Sequence, residues 1–484
     1  MRRRDLAIVL LLYGVTATAW AWFNPVFEAP DEPFHVGTVN LLVREHRFPT
    51  KADIEATVAF LCAHADLPHS PPVFEAGQWR IFLQLQPPLY YLLEAVALAV
   101  VYPSGISGPL VQAQPDYYLH RERGYFQHDR REPWQWTRPL AAIRLMRGVS
   151  VLLGGLAVLA TFQMACLLVG PDSTIPLLAT GIHAMVPMYT FMTASVNNDV
   201  LAYAVSGWTL CLMMTMVKQP WPPGRAALAI GACLSLGWAS KTTTLYLWPL
   251  TVVLAMVCYP RWVDRMRVVA GAMAMGLALR VLFSAATGRI GHDLGQYRLV
   301  FVGMPSPWLS LQSPFLASAA EQTLGYAGKV LRMLAESFWG SFGWCQVPID
   351  RQALAGYSIL AGLSLAGWIG CRGDQSAVRL HDRRVLVILI GAITAFLGCL
   401  AMVYHRLYIP QGGRYLLTVA SPIALVFALG LLGLWSSISR RVTGVVTERQ
   451  FAWTIVAIMV GLNWWVLWRS IICPYAIAWS GTPS

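Results

Sequence analysis

The sequence predicts an all-α protein that crosses a membrane many times. Of its 484 residues, 56% are hydrophobic and only 12% are charged, whereas soluble domains carry about 25% charged residues. Apolar runs recur along the chain at lengths near the roughly 20 residues that a helix needs to cross a bilayer. Basic residues collect in the short stretches between those runs, where orientation signals belong. Together these observations exclude a large soluble helical protein. The net charge of +12 reads first as topology and second as affinity for anionic lipid heads; nucleic acid is not an expected partner.

The first run, 6–23, follows a triple arginine at positions 2–4. With Ala17-Thr18-Ala19 it imitates a cleaved signal peptide, but so many later spans favour reading it as a retained first helix. Further runs fall at 148–169, 174–195, 199–217, 226–240, 242–259, 268–286, 352–371, 385–403, 413–435 and 451–472. One more, 87–102, is apolar but carries Glu94 near its middle. Polar stretches occupy 24–86, 103–147 and 287–351. The nine cysteines show no zinc-type or CxxC spacing, and those inside the runs read as packing residues. Cys62, His64 and His69 read as part of a polar loop rather than a metal site, and nothing in the spacing pairs Cys62 with Cys345.

The short loops CRGDQSAVRLHDRR, YPRWVDRMR and SSISRRVTGVVTERQ carry four, three and three arginines, which places them on the cytoplasmic side. Counting back puts the N-terminus, Lys218 and Arg225 inside. The segment 24–147, Asp199, Lys241 and Arg414 then lie outside, provided that 87–102 lies along the interface or re-enters rather than crossing. Residues 103–147 contain seven arginines, but long loops obey the charge rule weakly.

Five places carry chemistry. FEAPDEPFHVG (27–37) sets Asp31 and Glu32 between two prolines just beyond the first span, with His35 close behind. Prolines stiffen the backbone and fix where the acids point, although an acid pair capping a helix has the same composition. LQLQPPLYYLLEAV (83–96) opens an apolar helix with Pro-Pro and offers Tyr90 and Tyr91 to the interface. ASVNNDVLAYAV (194–205) starts a helix with Asn197, Asn198 and Asp199, for which capping is a sufficient reason. GWASKTTTLYLWP (237–249) holds Lys241 between two apolar runs, where an ammonium is costly and marks a candidate functional group or snorkels to lipid phosphate. ESFWGSFGWCQVP (336–348) and YHRLYIPQGGRYLLTVASP (404–422) bring Trp339 and Trp344 to a groove. They also bring Gly412 and Gly413 for close backbone approach, and Arg414 and Tyr415 at the head of a span. A guanidinium there suits bidentate phosphate binding. Acids, cations and aromatics on one membrane face suit a donor with an anionic head and a lipid tail.

PDEPFH, QPPLYYLL, the NND helix start, ASKTT, SFWGSFGW and QGGRYLL occur in this order. Over residues 20 to 435 they resemble a bacterial membrane-protein family known as domain of unknown function 2142, grouped with the GT-C glycosyltransferases that include protein mannosyltransferases and aminoarabinose transferases. The resemblance implies a single GT-C-like bundle of about 11–13 transmembrane helices spanning 1–484, with interfacial helices in the first external loop (24–147) and a second external region (287–351). It implies an enzyme of the bacterial inner membrane acting in glycan biosynthesis of the cell envelope. That enzyme moves a sugar from a polyprenyl-phosphate donor to a glycan or lipid-linked acceptor on the outer face. Asp31 or Glu32 is then the catalytic base, Arg414, Lys241 and His35 bind the donor phosphate, and Asn198 and Asp199 form a second external acidic site. Tyr90, Trp339, Trp344 and Tyr415 line the lipid groove. Some relatives hold a divalent metal (Mg, Mn or Ca) at the acidic loop, which would fall on Asp31 and Glu32; two adjacent acids without a third ligand tilt toward metal-free chemistry. The rival expectations are a transporter or flippase for a lipid-linked saccharide and a non-catalytic envelope-assembly protein.

Overall fold

Lipid leaves an apolar segment no way to satisfy its backbone except within a helix, and the chain is accordingly helical. The computed structural model describes residues 3–50, 53, 73–75, 86–107, 109–113, 126–128, 132–288, 323–343, 347–370, 383–404, 412–439 and 446–474. In chain order the helices are α1 (Arg3–Phe23), α2 (Glu32–Glu45), α3 (Leu89–Val101), α4 (Arg138–Val169), α5 (Ile175–Ala184), α6 (Pro187–Thr193), α7 (Asp199–Lys218), α8 (Pro223–Ser240), α9 (Leu247–Cys258), α10 (Trp262–Ala286), α11 (Thr323–Trp339), α12 (Arg351–Gly370), α13 (Arg383–Tyr404), α14 (Ala420–Ser439) and α15 (Glu448–Val466). A small antiparallel sheet orders Val73–Glu75, Pro109–Ala113 and Phe126–Gln127 side by side.

Eight helices among the described residues are long and apolar enough to cross a membrane, or nine if the bent pair α5 and α6 is one span. This count is lower than the 11–13 expected. All eleven predicted runs are helical in most of their described residues, and the segment Thr242–Cys258 falls among the shorter apolar helices. The bend of 62° between α5 and α6 sits at Pro187, whose ring and missing N–H break a helix. The carbonyl of Met185 freed there accepts a hydrogen bond from Asn463 Nδ2 at 3.2 Å.

The most apolar stretches of 199–218 and 412–439 have 78% of their residues buried, against 28% in those of 4–23, 262–286, 351–370 and 384–401. Hence α7 and α14 form the centre and α1, α10, α12 and α13 form the rim. Glycine permits one close approach that matters. A Cβ on Gly413 would run into the backbone of Leu334 and Phe338 in α11, and the Gly413 N–H donates to Ser337 Oγ at 2.9 Å. The residue that follows, Arg414, is fixed by that contact.

The helix ends sort into two sets. Asp5 at the start of α1 pairs with Arg449 at 2.5 Å, and Thr174 contacts Glu448, so the starts of α1 and α15 share one end. Residues 24–32, 196–199, 241 and 414 meet at the other, a distance of about 30 Å along α1. Those are the two groups that the arginine pattern separates. Arg147, early in α4, bonds to the carbonyls of Ala21, Asn24 and Pro25 at the end of α1, so the chain between α1 and α4 leaves and returns at one end. The intervening α3 has 13 residues, about 20 Å of helix, short of the roughly 30 Å of hydrocarbon that a span must cover.

Candidate active site

The site is built first from the loop that links α1 to α2. Pro25, Pro30 and Pro33 limit its backbone, and Pro33 lies in the first turn of α2. Two residues without glycine's freedom, Phe27 (φ 71) and Asp31 (φ 66), take left-handed conformations, which cost about 1–2 kcal/mol each. Buried polar contacts hold them there. Glu32, with no exposure, accepts Arg147 Nε at 2.8 Å and Nη2 at 2.7 Å, and also the N–H groups of Phe27 and Val196, each at 3.0 Å. Arg147 spends its remaining donors on the three carbonyls at the end of α1.

This arrangement corrects one expectation. Glu32 does not stand beside Asp31 as an equivalent open carboxylate: both of its oxygens are taken by four donors. It braces the loop. Asp31 points elsewhere. Its side chain keeps 33% exposure and meets Arg414 Nη2 at 3.2 Å, while making no cap hydrogen bond to its own helix.

Three further elements complete the site. Lys241 is a single extended residue (φ −164, ψ 148) between α8 and the 3₁₀ turn Thr242–Tyr246, as its position between two apolar runs predicts. Its Nζ donates to Asn198 Oδ1 at 3.0 Å and lies 2.7 Å from Asp199 Oδ1. The Asp199 oxygens make no hydrogen bond among the described residues, so the Lys241 ion pair and the charge of Arg414 compensate a fully buried carboxylate. Asn198 does not cap α7; its amide bridges Lys241 and Gln86 Oε1, the latter at 2.8 Å. Capping falls to Asn197, whose Oδ1 accepts the Asp199 N–H at 2.8 Å. Arg414 Nη2 also reaches Tyr415 Oη at 3.3 Å, and its guanidinium lies over the Tyr415 ring at 5.2 Å. Its Nε is buried with no hydrogen-bond partner among the described residues.

His35 is not a third cation. It is buried, its Nδ1 is 2.8 Å from Tyr91 Oη, and the two rings stack. Burial first, then the charges of Lys241 and Arg414, push its pKa well below 6.5. The same interactions put His35 within the field of both cations. Asp31, Lys241, Asp199, Arg414 and His35 are thus brought together, from four separated parts of the chain.

The aromatic expectations fare unevenly. Tyr90 is fully buried; its hydroxyl pairs with Ser150 Oγ at 2.8 Å and accepts the Asn197 N–H at 2.9 Å, so it supports the 196–199 loop and lines no open groove. Trp339 stacks on Tyr357 at 4.6 Å within the core. Tyr415 lies at the site, half-buried. Trp344 lies outside the described residues, as do Cys62, His64, His69 and Cys345.

Sequence reasoning missed a second brace. Buried His128 sits between Glu28 Oε1 at 3.0 Å and Glu132 Oε2 at 2.6 Å, and Glu132 Oε1 accepts the Val26 N–H at 2.8 Å. Burial alone would lower the His128 pKa, but the two carboxylates overcome it and raise it to about 10. Glu28, the third acid of the FEAPDE stretch, was the available signal.

The acids do not fit a divalent metal. Glu32 is saturated, and Asp31 and Asp199 each face a fixed protein cation, whose charge opposes a second cation at the same oxygens. Among the described residues no group of three His, Cys, Asp or Glu side chains could hold a metal ion.

No family model matches the sequence, that of domain of unknown function 2142 included, and no curated protein is similar to it. Solved structures are similar to the chain at low scores and low identity. An oligosaccharyltransferase from Archaeoglobus fulgidus in its apo form has a TM-score of 0.46 at 12% identity, covering 100% of this chain and 57% of that one. The archaeal oligosaccharyltransferase AglB from the same organism, in complex with an inhibitory peptide and a dolichol-phosphate, scores 0.42 at 12% identity and covers 99% and 56%. ArnT from Cupriavidus metallidurans bound to undecaprenyl phosphate scores 0.34 at 13% identity and covers 94% and 84%. The chain spans little more than half the length of the archaeal proteins. With all three scores below 0.5, the chemistry rests on the geometry of the site itself.

Proposed function

We propose that this protein is a membrane glycosyltransferase. It moves a sugar from a polyprenyl-phosphate donor to an acceptor hydroxyl on the outer face of the membrane, with inversion at the anomeric carbon. One observation carries the reading. A partly exposed carboxylate, Asp31, pairs with buried Arg414 at the end of the bundle where buried Lys241 pairs with Asp199.

The roles follow from the contacts. Arg414 and Lys241 hold the donor phosphate, whose isoprenoid tail extends among the apolar helices. Asp31 accepts the acceptor's proton as its oxygen attacks the anomeric carbon. The bond from that carbon to the phosphate oxygen breaks, and polyprenyl phosphate leaves with the electron pair. A well-placed base is worth about 10²–10⁴-fold. Fixed cations on the leaving phosphate act where charge develops, in a site that needs no reorganisation. Glu32 and Arg147 act as positioning residues: the pair ties the Asp31 loop to Val196, three residues from Asp199. His35 is a neutral hydrogen-bonding group beside the phosphate.

The reading is tested with purified protein in lipid, given a polyprenyl-phosphate sugar labelled in the sugar and a pool of envelope acceptors. Transfer yields labelled product and one free polyprenyl phosphate per sugar moved. A transporter moves the donor across vesicles with the sugar still attached, and that outcome would reject the proposal.

A further inference from the structure

Arg414 is incompletely satisfied in a way that points to a missing anion. Its Nη2 divides between Asp31 at 3.2 Å and Tyr415 at 3.3 Å, both long for a charge-assisted bond, which is usually 2.7–2.9 Å. Its buried Nε has no hydrogen-bond partner among the described residues. A buried guanidinium donor without an acceptor is costly, and the usual partner of Nε and Nη2 together is a bidentate oxyanion. Asp31 supplies only one oxygen to one nitrogen. It is also the more exposed and less anchored member of the pair, with side-chain exposure of 33% against 10% and no cap hydrogen bond to α2.

We infer that the Asp31 carboxylate occupies the donor's phosphate position in the ligand-free protein, so that binding of the phosphate to Arg414 and release of the base are one event. This rests on the glycosyltransferase reading above and adds an order to it. While paired with Arg414, Asp31 is turned away from an acceptor hydroxyl. A phosphate that takes Nε and Nη2 displaces it, and the freed carboxylate is then available to a proton. The acceptor is activated only when a donor is present. Water meeting the empty site finds its base engaged.

The test is a double-mutant cycle on binding of undecaprenyl phosphate, which carries the phosphate and tail but no sugar to transfer. It uses the full-length protein and the variants Asp31→Asn, Arg414→Gln and their combination. Asparagine tolerates the left-handed backbone at position 31, and a thermal melt of each variant verifies folding. Asp31→Asn is expected to bind roughly three- to tenfold more tightly than the parent, the factor set by a contact closed about 70–90% of the time. In the Arg414→Gln background the same substitution is expected to change affinity by less than about twofold. Equal or weaker binding by Asp31→Asn would overturn the inference. So would a gain that persists without Arg414, because Asp31 would then merely repel phosphate through the field of the site. A second readout needs no variant: carbodiimide labelling of Asp31, read by mass spectrometry, should rise when undecaprenyl phosphate saturates the parent protein, and unchanged or reduced labelling contradicts release. Failure of the parent and every variant to prefer undecaprenyl phosphate over phosphatidic acid removes the glycosyltransferase reading itself. Wild-type transfer by Asp31→Asn removes the base assignment and leaves the cycle standing.

Discussion

Glu32 and Arg147 face each other through two contacts, 2.8 and 2.7 Å, with exposures of 0% and 2%. Neighbouring residues in the sequence therefore have opposite fates: Asp31 reaches solvent and Glu32 is sealed. Removing one partner of such a pair leaves an uncompensated buried charge, at a cost of about 3–5 kcal/mol. Arg147→Leu or Glu32→Leu alone should lower the melting temperature in detergent sharply. The double substitution should recover part of the loss, since apolar replacement of both partners is often close to neutral. Losses that simply add would show that the two side chains do not act as a pair.

The Lys241–Asp199 pair separates stability from binding in the same way. Lys241→Ala strands the Asp199 carboxylate, so folding suffers and donor affinity falls together. Adding Asp199→Asn removes the stranded charge and should restore most of the melting temperature while donor affinity stays low. Recovery of affinity in the double variant would mean that Lys241 does not contact the phosphate.

Gly413 touches no proposed ligand, yet Arg414 depends on it. A Cβ at 413 collides with the backbone of α11, so Gly413→Ala should displace the guanidinium by a fraction of an ångström or more. Misplacement near 1 Å can cost about 10²-fold in rate. Transfer should fall by one to two orders of magnitude (roughly the same penalty) with the fold retained. Normal kinetics in a folded Gly413→Ala protein would show that α11 does not set the arginine.

The Glu28–His128–Glu132 clamp gives a pH signature. His128 is raised from 6.5 to about 10, so its stabilisation is fully present below about 6.5 and is lost as pH rises toward 10. Glu132 is lowered from 4.5, by His128 against the opposing effect of burial, so its contribution is present above 4.5 and disappears on acidification. Thermal stability should peak between these limits and decline progressively on the alkaline side. His128→Gln should flatten that alkaline decline; an unchanged slope would place the titrating group elsewhere.

Much of this was legible in the sequence, for a definite reason. Charged groups at the ends of apolar runs are expensive, so Asp31, Asp199, Lys241 and Arg414 stand out, and the arginine-rich loops sort them to one side. That they pair with one another follows from the cost of leaving any of them alone in a low dielectric. The division of labour between Asp31 and Glu32 was not legible, because it depends on Arg147, which in sequence is one of seven arginines in a polar stretch. Neither was the neutrality of His35, which comes from burial beside two cations. Tyr90 and Trp339 illustrate a third limit. Aromatic side chains suit an interfacial groove and a packed core equally well, and only tertiary packing places these two inside.

The central claim is that Asp31 takes the proton while Arg414 and Lys241 hold the leaving phosphate. Single-turnover release of polyprenyl phosphate from a labelled donor, compared between the parent protein and Asp31→Asn, tests it most directly. The account predicts that Asp31→Asn binds the donor, remains folded and releases lipid phosphate about 10²–10⁴-fold more slowly. Release at the parental rate would contradict it.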